Sequence, residues 1–271
     1  MRKCLLGKSQ RLLMIAALAG LGIATGVPAQ VINITNPSFE ESPGPVPVPA
    51  GEFRVFNPPG WARYDPGSIV NQSNNAVGGL NPAGTTFFID PVPHGNSVAL
   101  IYLEQRAGTQ NPGAIVGLSQ TLSGNVLQLN TRYQLQAAVG NIASGSGLGA
   151  SAVFGLADLS GFPGYSVQLL AGGVVVAEDN NTKTIGEGRF ATSTVELLVG
   201  NSHARAGQTL GIRLLNLNAT GNLVEHAREV NFDTVSLFAS AVPEPGSYAM
   251  FLAGIGLIIT VGARRRLRAQ A

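Results

Sequence analysis

The sequence predicts an all-β protein, a two-sheet antiparallel jelly-roll sandwich spanning residues 30–241. Three observations carry that expectation. The chain holds 35 glycines and 16 prolines in 271 residues, a density of turn formers that leaves little room for long helices. No stretch of residues 31–241 repeats its apolar side chains with a 3.6-residue period over the length of a core helix. Short apolar runs, separated by clusters of Gly, Pro, Asn and Ser, follow one another with the spacing of a sandwich.

Each element has its own justification. Residues 31–35 form a short first strand, ended by the turn Asn36-Pro37-Ser38-Phe39-Glu40. Residues 42–50 alternate proline with valine and glycine and predict an extended, polyproline-like loop. The turn Asn57-Pro58-Pro59-Gly60-Trp61 presents the chain's single tryptophan. Residues 66–93 predict a long ordered loop with one short strand at Thr86-Phe87-Phe88-Ile89. Residues 97–104 are apolar on both faces, the mark of a central strand, and a strand at 115–122 follows. In residues 132–140 Tyr133, Leu135, Ala137 and Val139 point inward against Arg132, Gln134 and Gln136 outward. A glycine-rich insertion covers 144–164. Strands at 165–170 and 174–178 flank Ala171-Gly172-Gly173, a hairpin signal, and further strands cover 192–199, 208–217 and 229–238. In the last one Val230 and Phe232 share a face, yet the next large apolar residues are Val235 and Leu237. The phase slips by one residue near Asp233, which predicts a bulge that re-aims the Asp233 carboxylate.

The two ends read differently from the domain. Arg2, Lys3, Lys8 and Arg11 precede an apolar run, Leu12 to Ile23, and Val27-Pro28-Ala29 precedes Gln30. That is the layout of a secretory signal peptide over residues 1–29. The only cysteine, Cys4, lies inside it, so no disulfide can staple the exported domain. A domain of about 210 residues can bury its core without one. At the other end Pro243-Glu244-Pro245 stops the last strand. An uncharged run follows, predicting a transmembrane helix over 247–263, and then Arg264, Arg265, Arg266 and Arg268. The basic cluster is expected to stay cytoplasmic. The run is short against the ~20 residues of a full span, which suits a transient anchor.

Motif, apolar run and arginine cluster, in that order over 242–271, resemble the PEP-CTERM sorting signal of exported proteins in Gram-negative bacteria. The resemblance implies recognition by an exosortase-type membrane protease and cleavage near Pro243, Glu244 and Pro245. It also implies a transient stay in the inner membrane through the C-terminal helix, then the cell surface or extracellular matrix. An ordinary single-span anchor is the alternative. Without the two ends, residues 31–242 carry nine basic and fourteen acidic side chains, a net charge of −5 against +2 for the whole chain. That excludes a basic nucleic-acid footprint and suits cation binding.

Chemistry-bearing motifs are few. The chain lacks a Gly-x-Ser-x-Gly elbow, a phosphate loop, a His-Glu-x-x-His pair and a cysteine cluster. His94, His203 and His226 are far apart and read as surface residues. Asn36-Pro37-Ser38-Phe39-Glu40 and Asn231-Phe232-Asp233-Thr234-Val235 resemble the paired end motifs of galactose-binding-like and carbohydrate-binding jelly rolls. In those folds the first and last strands lie together, and an early Glu and a late Asp help hold a structural calcium. Carried over, the ligands are Glu40 and Asp233, with backbone carbonyls completing the six to eight oxygens that calcium takes; a surface carboxylate pair without metal is the alternative.

Together with residues 96–102, 118–122, 133–141, 164–173 and 207–210, these motifs look like a jelly-roll group that includes the cyanobacterial Stig cyclases, which rearrange and cyclise indole-isoprenoid substrates. They look equally like PEP-CTERM proteins with no assigned activity. The cyclase resemblance implies an acidic general acid late in the domain, here Asp233, beside a pocket aromatic, here Tyr102. Trp61 and Tyr64, near Phe53 and Phe56, sit where loop aromatics could stack on sugar faces; the alternative for Trp61 is a place in the core. Two function classes result. One is a non-catalytic surface or matrix module that touches extracellular polysaccharide, which a matrix-directed tail favours. The other is a lyase or isomerase of the cyclase type, which a closed aromatic pocket around an ionisable acid would favour.

Overall fold

Apolar residues at alternate positions of the long strands are buried between two antiparallel sheets, and that shared interior defines the fold. The computed structural model describes residues 29–70, 75–104, 114–218, 227–242 and 252–259. Most of the expected signal peptide, His226 and the sorting residues Pro243, Glu244, Pro245, Arg264, Arg265 and Arg266 lie outside the described residues. Residues 252–259 are helical. Among the described residues no helix is long and apolar enough to cross a membrane.

One sheet has seven strands: β1 (Gln30–Ile32), β2 (Phe53–Val55), β4 (Ala76–Leu80), β5 (Val98–Glu104), β7 (Thr131–Asn141), β12 (Arg189–Val199) and β14 (Ala227–Ala241). Their order is β12-β7-β14-β5-β4-β2, with β1 sharing the β5 edge of β14. The other sheet has five: β3 (Ala62–Tyr64), β6 (Val116–Val126), β10 (Tyr165–Ala171), β11 (Val174–Asn180) and β13 (Thr209–Asn216), in the order β11-β10-β13-β6-β3. A small ribbon of β8 (Gly145–Ser146) and β9 (Leu156–Ala157), with a 3-10 turn at Gly149–Phe154, lies within the insertion.

The core between the sheets takes the residues that alternation assigns to it. Tyr133, Leu135, Ala137 and Val139 of β7 meet Val167 and Leu169 of β10 and Ile212 and Leu214 of β13. Strand β5 is buried on both faces: Ala99, Ile101 and Leu103 join this core, while Val98 and Leu100 join a second apolar cluster on the sheet's outer side. Two buried polar groups cross between the sheets. Asn216 of β13 donates to Ile101 O at 3.1 Å and to Arg228 O at 3.2 Å. Asp179 of β11 accepts from Tyr165 Oη at 2.8 Å and from Ser193 Oγ of β12 at 2.6 Å. Burial pushes the Asp179 carboxyl up, but hydrogen bonds from Ser193, Thr182 and Tyr165 outweigh it and hold the group below its usual range.

One expected strand is corrected, and two candidate aromatics find their places. Thr86-Phe87-Phe88-Ile89 is bent, irregular chain, and the strand of that region is Ala76–Leu80. Its Gly78 is needed because a Cβ there would collide with Arg54 O of the neighbouring strand. Trp61 is 4 % exposed and belongs to the core. Its ring packs on Phe39 at 5.2 Å and its Nε1 donates to Asn36 O at 3.2 Å, so it offers no face to a sugar. Tyr165 is fully buried, whereas Tyr102 lies on the outer face of the seven-stranded sheet, half-buried.

Truncating Trp61 leaves Phe39 without its partner under the first turn. Trp61→Ala is expected to lower stability by about 3–5 kcal/mol, measured as the shift in a urea transition; a loss under 1 kcal/mol would contradict the core placement.

Candidate functional site

The outer side of the seven-stranded sheet is not left to solvent. Residues 81–97 and the insertion at 142–164 fold over it, and Phe87, Ile142 and Leu159 seal against Ala76, Leu80, Val98 and Leu100. Phe53, Phe88, Val92, Tyr102 and Phe190 border that cluster. The rings of Phe88 and Phe190 stack at 4.4 Å with 25° between their planes. Their position is fixed by polar contacts: Arg189 bridges Asp90 at 2.7 Å, Phe190 N donates to Asp90 at 3.1 Å and Ile89 N donates to Gly188 O at 2.8 Å.

Strand β14 sends three polar side chains to this face, Glu229, Asn231 and Asp233, because Val230 and Phe232 point into the core. Glu229 stands opposite Tyr102 of β5 in the strand register and is 4 % exposed. Its Oε1 accepts from Asn231 Nδ2 at 2.7 Å, and the same amide donates to Ala99 O at 3.1 Å. Asn231 Oδ1 is buried and has no partner. Room for this pair comes from Gly140 of β7. A Cβ there would stand 3.2 Å from the Asn231 Cβ and 2.6 Å from the Phe190 ring. Burial raises the Glu229 carboxyl to about 7, against which the Asn231 hydrogen bond works weakly. The arrangement is a neutral acid held beside aromatic rings, able to give up a proton near neutral pH.

Asp233 sits at the bulge that the phase slip predicts: the β14–β7 register shifts between Asp233 and Ser236, and Thr234 takes φ 49°. Asp233 is fully buried. Its Oδ2 accepts from His94 N at 2.8 Å and its Oδ1 from Thr234 N at 2.6 Å. Burial raises it to about 7, opposed by those two amides and reinforced by the charge of Glu40. The fold therefore brings Glu40 and Asp233 together. Glu40 Oε1 accepts from Asn96 N at 2.9 Å and Ser97 N at 2.8 Å, and Gly95 at φ 64° is required because a Cβ would collide with the Glu40 carboxyl. Val235 N donates to Pro37 O at 2.9 Å, closing the link between the chain's two end motifs. Among the described residues no group of three or more His, Cys, Asp and Glu converges, so a cation here would draw its further ligands from carbonyls.

The two acids of β14 thus differ in setting. Asp233 is fastened by two backbone amides and faces another carboxylate. Glu229 has one side-chain partner and the aromatic neighbourhood, and it is Glu229, not Asp233, that stands opposite Tyr102. Alternation from Val230 and Phe232 gave its direction; nothing in the local sequence announced the cover. Tyr64 lies elsewhere, on the outer face of the five-stranded sheet beneath the Arg213 guanidinium.

Residues 30–238 match the HpiC1-like family, described as HpiC1 cyclase. Residues 241–266 match the PEP-CTERM protein-sorting motif. A cyclase from Fischerella sp. TAU is 34 % identical with a TM-score of 0.63, covering 80 % of this chain and 100 % of its own. The same figures hold for a Fischerella sp. TAU cyclase crystallised with 4-(1H-indol-3-yl)butan-2-one. The Stig cyclase Fisc from that organism, in complex with (3Z)-3-(1-methyl-2-pyrrolidinylidene)-3H-indole, is 33 % identical with a TM-score of 0.62 over the same shares. No curated protein matches the chain.

Because the folded state holds the Glu229 proton that the unfolded chain releases, its stabilising share is complete below 4.5 and is lost as pH rises through about 7. Asp233 adds a trend of the same sign. Thermal melts between pH 4.5 and 8 are therefore expected to show falling stability in the wild type and a shallower fall in Glu229→Gln. Superimposable pH profiles would contradict the raised Glu229.

Proposed function

The chain belongs to the HpiC1-like cyclase family, and from that premise we propose that its domain is an acid-catalysed cyclase or isomerase acting on an indole-bearing apolar substrate, with Glu229 as the proton donor. The observation that supports this most is the buried Glu229, raised to about 7 and opposite Tyr102, on the sheet face whose apolar cluster Tyr102, Phe88 and Phe190 border. The expectation that assigned this role to Asp233 moves four residues along the same face of β14.

Each part of the site has a task in that chemistry. Neutral Glu229 transfers its proton to a substrate carbon and is left as a carboxylate, which takes a proton back when the cyclised cation loses one. The reaction is an isomerisation and needs no oxidant. Asn231 holds Oε1 through its amide, which leaves Oε2 as the oxygen to carry the proton. Faces of Phe88 and Phe190 can stabilise positive charge in an indole-isoprenoid intermediate, and the apolar cover keeps water from trapping it. Tyr102 supplies a further aromatic edge across the strand pair.

A structural calcium accompanies this reading. Glu40 and Asp233 would hold it, and its charge would relieve the mutual repulsion that Asp233 feels. The sorting match supports export: the leader is removed after Ala29, the tail is cut near Pro243-Glu244-Pro245 by an exosortase, and the domain reaches the cell surface or matrix. A purely non-catalytic polysaccharide module resting on loop aromatics loses support with the burial of Trp61.

Turnover of an indole-isoprenoid to a product of equal mass, followed by chromatography and mass spectrometry, tests the acid. Glu229→Gln is expected to lower it by roughly a hundredfold or more, while Asp233→Asn retains it in whatever fraction stays folded. Undiminished turnover in Glu229→Gln would remove the assignment; no turnover of any indole-isoprenoid would return the domain to the binding class. For the ion, chelation is expected to lower the melting temperature, by an equivalent of roughly 2.7 kcal/mol where calcium stood at a hundredfold excess over its dissociation constant. Glu40→Gln is expected to blunt that response, and a melting curve indifferent to chelator would dismiss the calcium.

A further inference from the structure

The outer face of the five-stranded sheet carries a groove of about 280 Å³, remote from Glu229 and on the opposite side of the sandwich. Missing side chains make it: Gly211 lies in its floor, and the Gly172-Gly173 turn closes one end. Hydroxyl-bearing Ser119, Thr121 and Thr209 line it. At the other end stands Arg213, whose guanidinium carbon lies 4.0 Å from the centre of the Tyr64 ring.

Arg213 is held in place more firmly than a surface arginine needs to be. Its Nη1 donates to Gln168 Oε1 at 3.2 Å. Gln168 is itself fixed by donating to Glu178 Oε2 at 3.0 Å, an oxygen that also accepts from Ser166 Oγ at 3.2 Å. Among the described residues Arg213 makes no ion pair, whereas Arg132 and Arg189 each bridge a carboxylate. Glu178 stands two strands from Arg213 across β10, on the side away from Ser119 and Thr121. A flat guanidinium on an aromatic ring, without an ion-pair partner among the described residues and beside hydroxyls in a small trough, suits an anionic, hydroxyl-bearing ligand. The cation takes a carboxylate with its planar fork, and the hydroxyls exchange hydrogen bonds with ring hydroxyls. The volume lies just below the usual range for ligand pockets and suits no more than one sugar ring.

We propose that this groove binds a uronic-acid unit of an acidic polysaccharide, with the ring carboxylate on Arg213 and the ring hydroxyls on Ser119, Thr121 and Thr209. Such a site is independent of the proton chemistry at Glu229. It gives an exported domain of net charge −5 a specific hold on a polyanion that it would otherwise repel.

Affinity electrophoresis of the residue 30–242 domain tests this; the crystallised cyclases are matched over the whole of their chains by this domain, which therefore stands alone. The domain is expected to be retarded in gels containing polygalacturonate and to run freely in gels containing dextran. Arg213→Gln is expected to weaken retardation at least tenfold in polymer concentration with the thermal melt unchanged. Thr121→Glu, at an exposed position, is expected to do the same by placing a carboxylate at the groove. Wild-type migration unaffected by polygalacturonate, equal retardation by dextran, or full retardation of Thr121→Glu would each overturn the proposal.

Discussion

The bulge at Asp233 and Thr234 is the constraint on which the rest of the molecule depends. Strand β14 pairs with β5 through its first half, with β7 along most of its length and with β1 near its end. Unbroken alternation from Val230 and Phe232 would drive Thr234, Ser236 and Phe238 into the core and expel Val235 and Leu237. One extra residue at the bulge restores Val235 and Leu237 to the interior. It also ends the outward series Glu229, Asn231, Asp233 at the point where the first turn of the chain arrives. A β-branched residue at positive φ is unfavourable. The Thr234 N–H bond to Asp233 and the Val235 N–H bond to Pro37 hold it there.

Much of this was legible in the residues. The bulge follows from four apolar positions out of step, the inward set of β7 from simple alternation, and the central place of β5 from apolar character on both faces. The β10–β11 hairpin follows from its two glycines. The pairing of Glu40 with Asp233 came through the resemblance of the end motifs and agrees with the geometry. Other parts had no local signature. Strand β4 is Ala-Val-Gly-Gly-Leu, poor in strand formers, and exists because Gly78 lets the backbone of β2 approach. Trp61 sits in a proline-rich turn, where the residues alone leave core and surface both open; the distant Phe39 and the Asn36 carbonyl make it interior.

Glu229 shows the limit most clearly. Alternation states which way a strand residue points, and it pointed Glu229 away from the core. Whether that side is wet depends on segments with no periodicity of their own, a turn-rich loop and a glycine-rich insertion, which happen to close over the sheet. The same covering explains how two carboxylates four residues apart on one strand face come to lie in different settings. Apolar burial dominates both, but backbone amides and a neighbouring carboxylate commit Asp233 to architecture, while Glu229 keeps a single adjustable partner.

The end of β14 is tied down as well, by Val242 N donating to Asn130 O at 2.7 Å. That knot lies at the far end of the strand from Glu229, a span of roughly 40 Å at about 3.3 Å per residue. Residue 242, from which the C-terminal segment departs, is anchored at that remove. A charge at that anchor point lies several screening lengths, each about 8 Å in physiological salt, from the acid. On the proposed reading the domain would keep the same proton affinity at Glu229 whether tethered or released, so cutting the tail would change its address and not its reactivity.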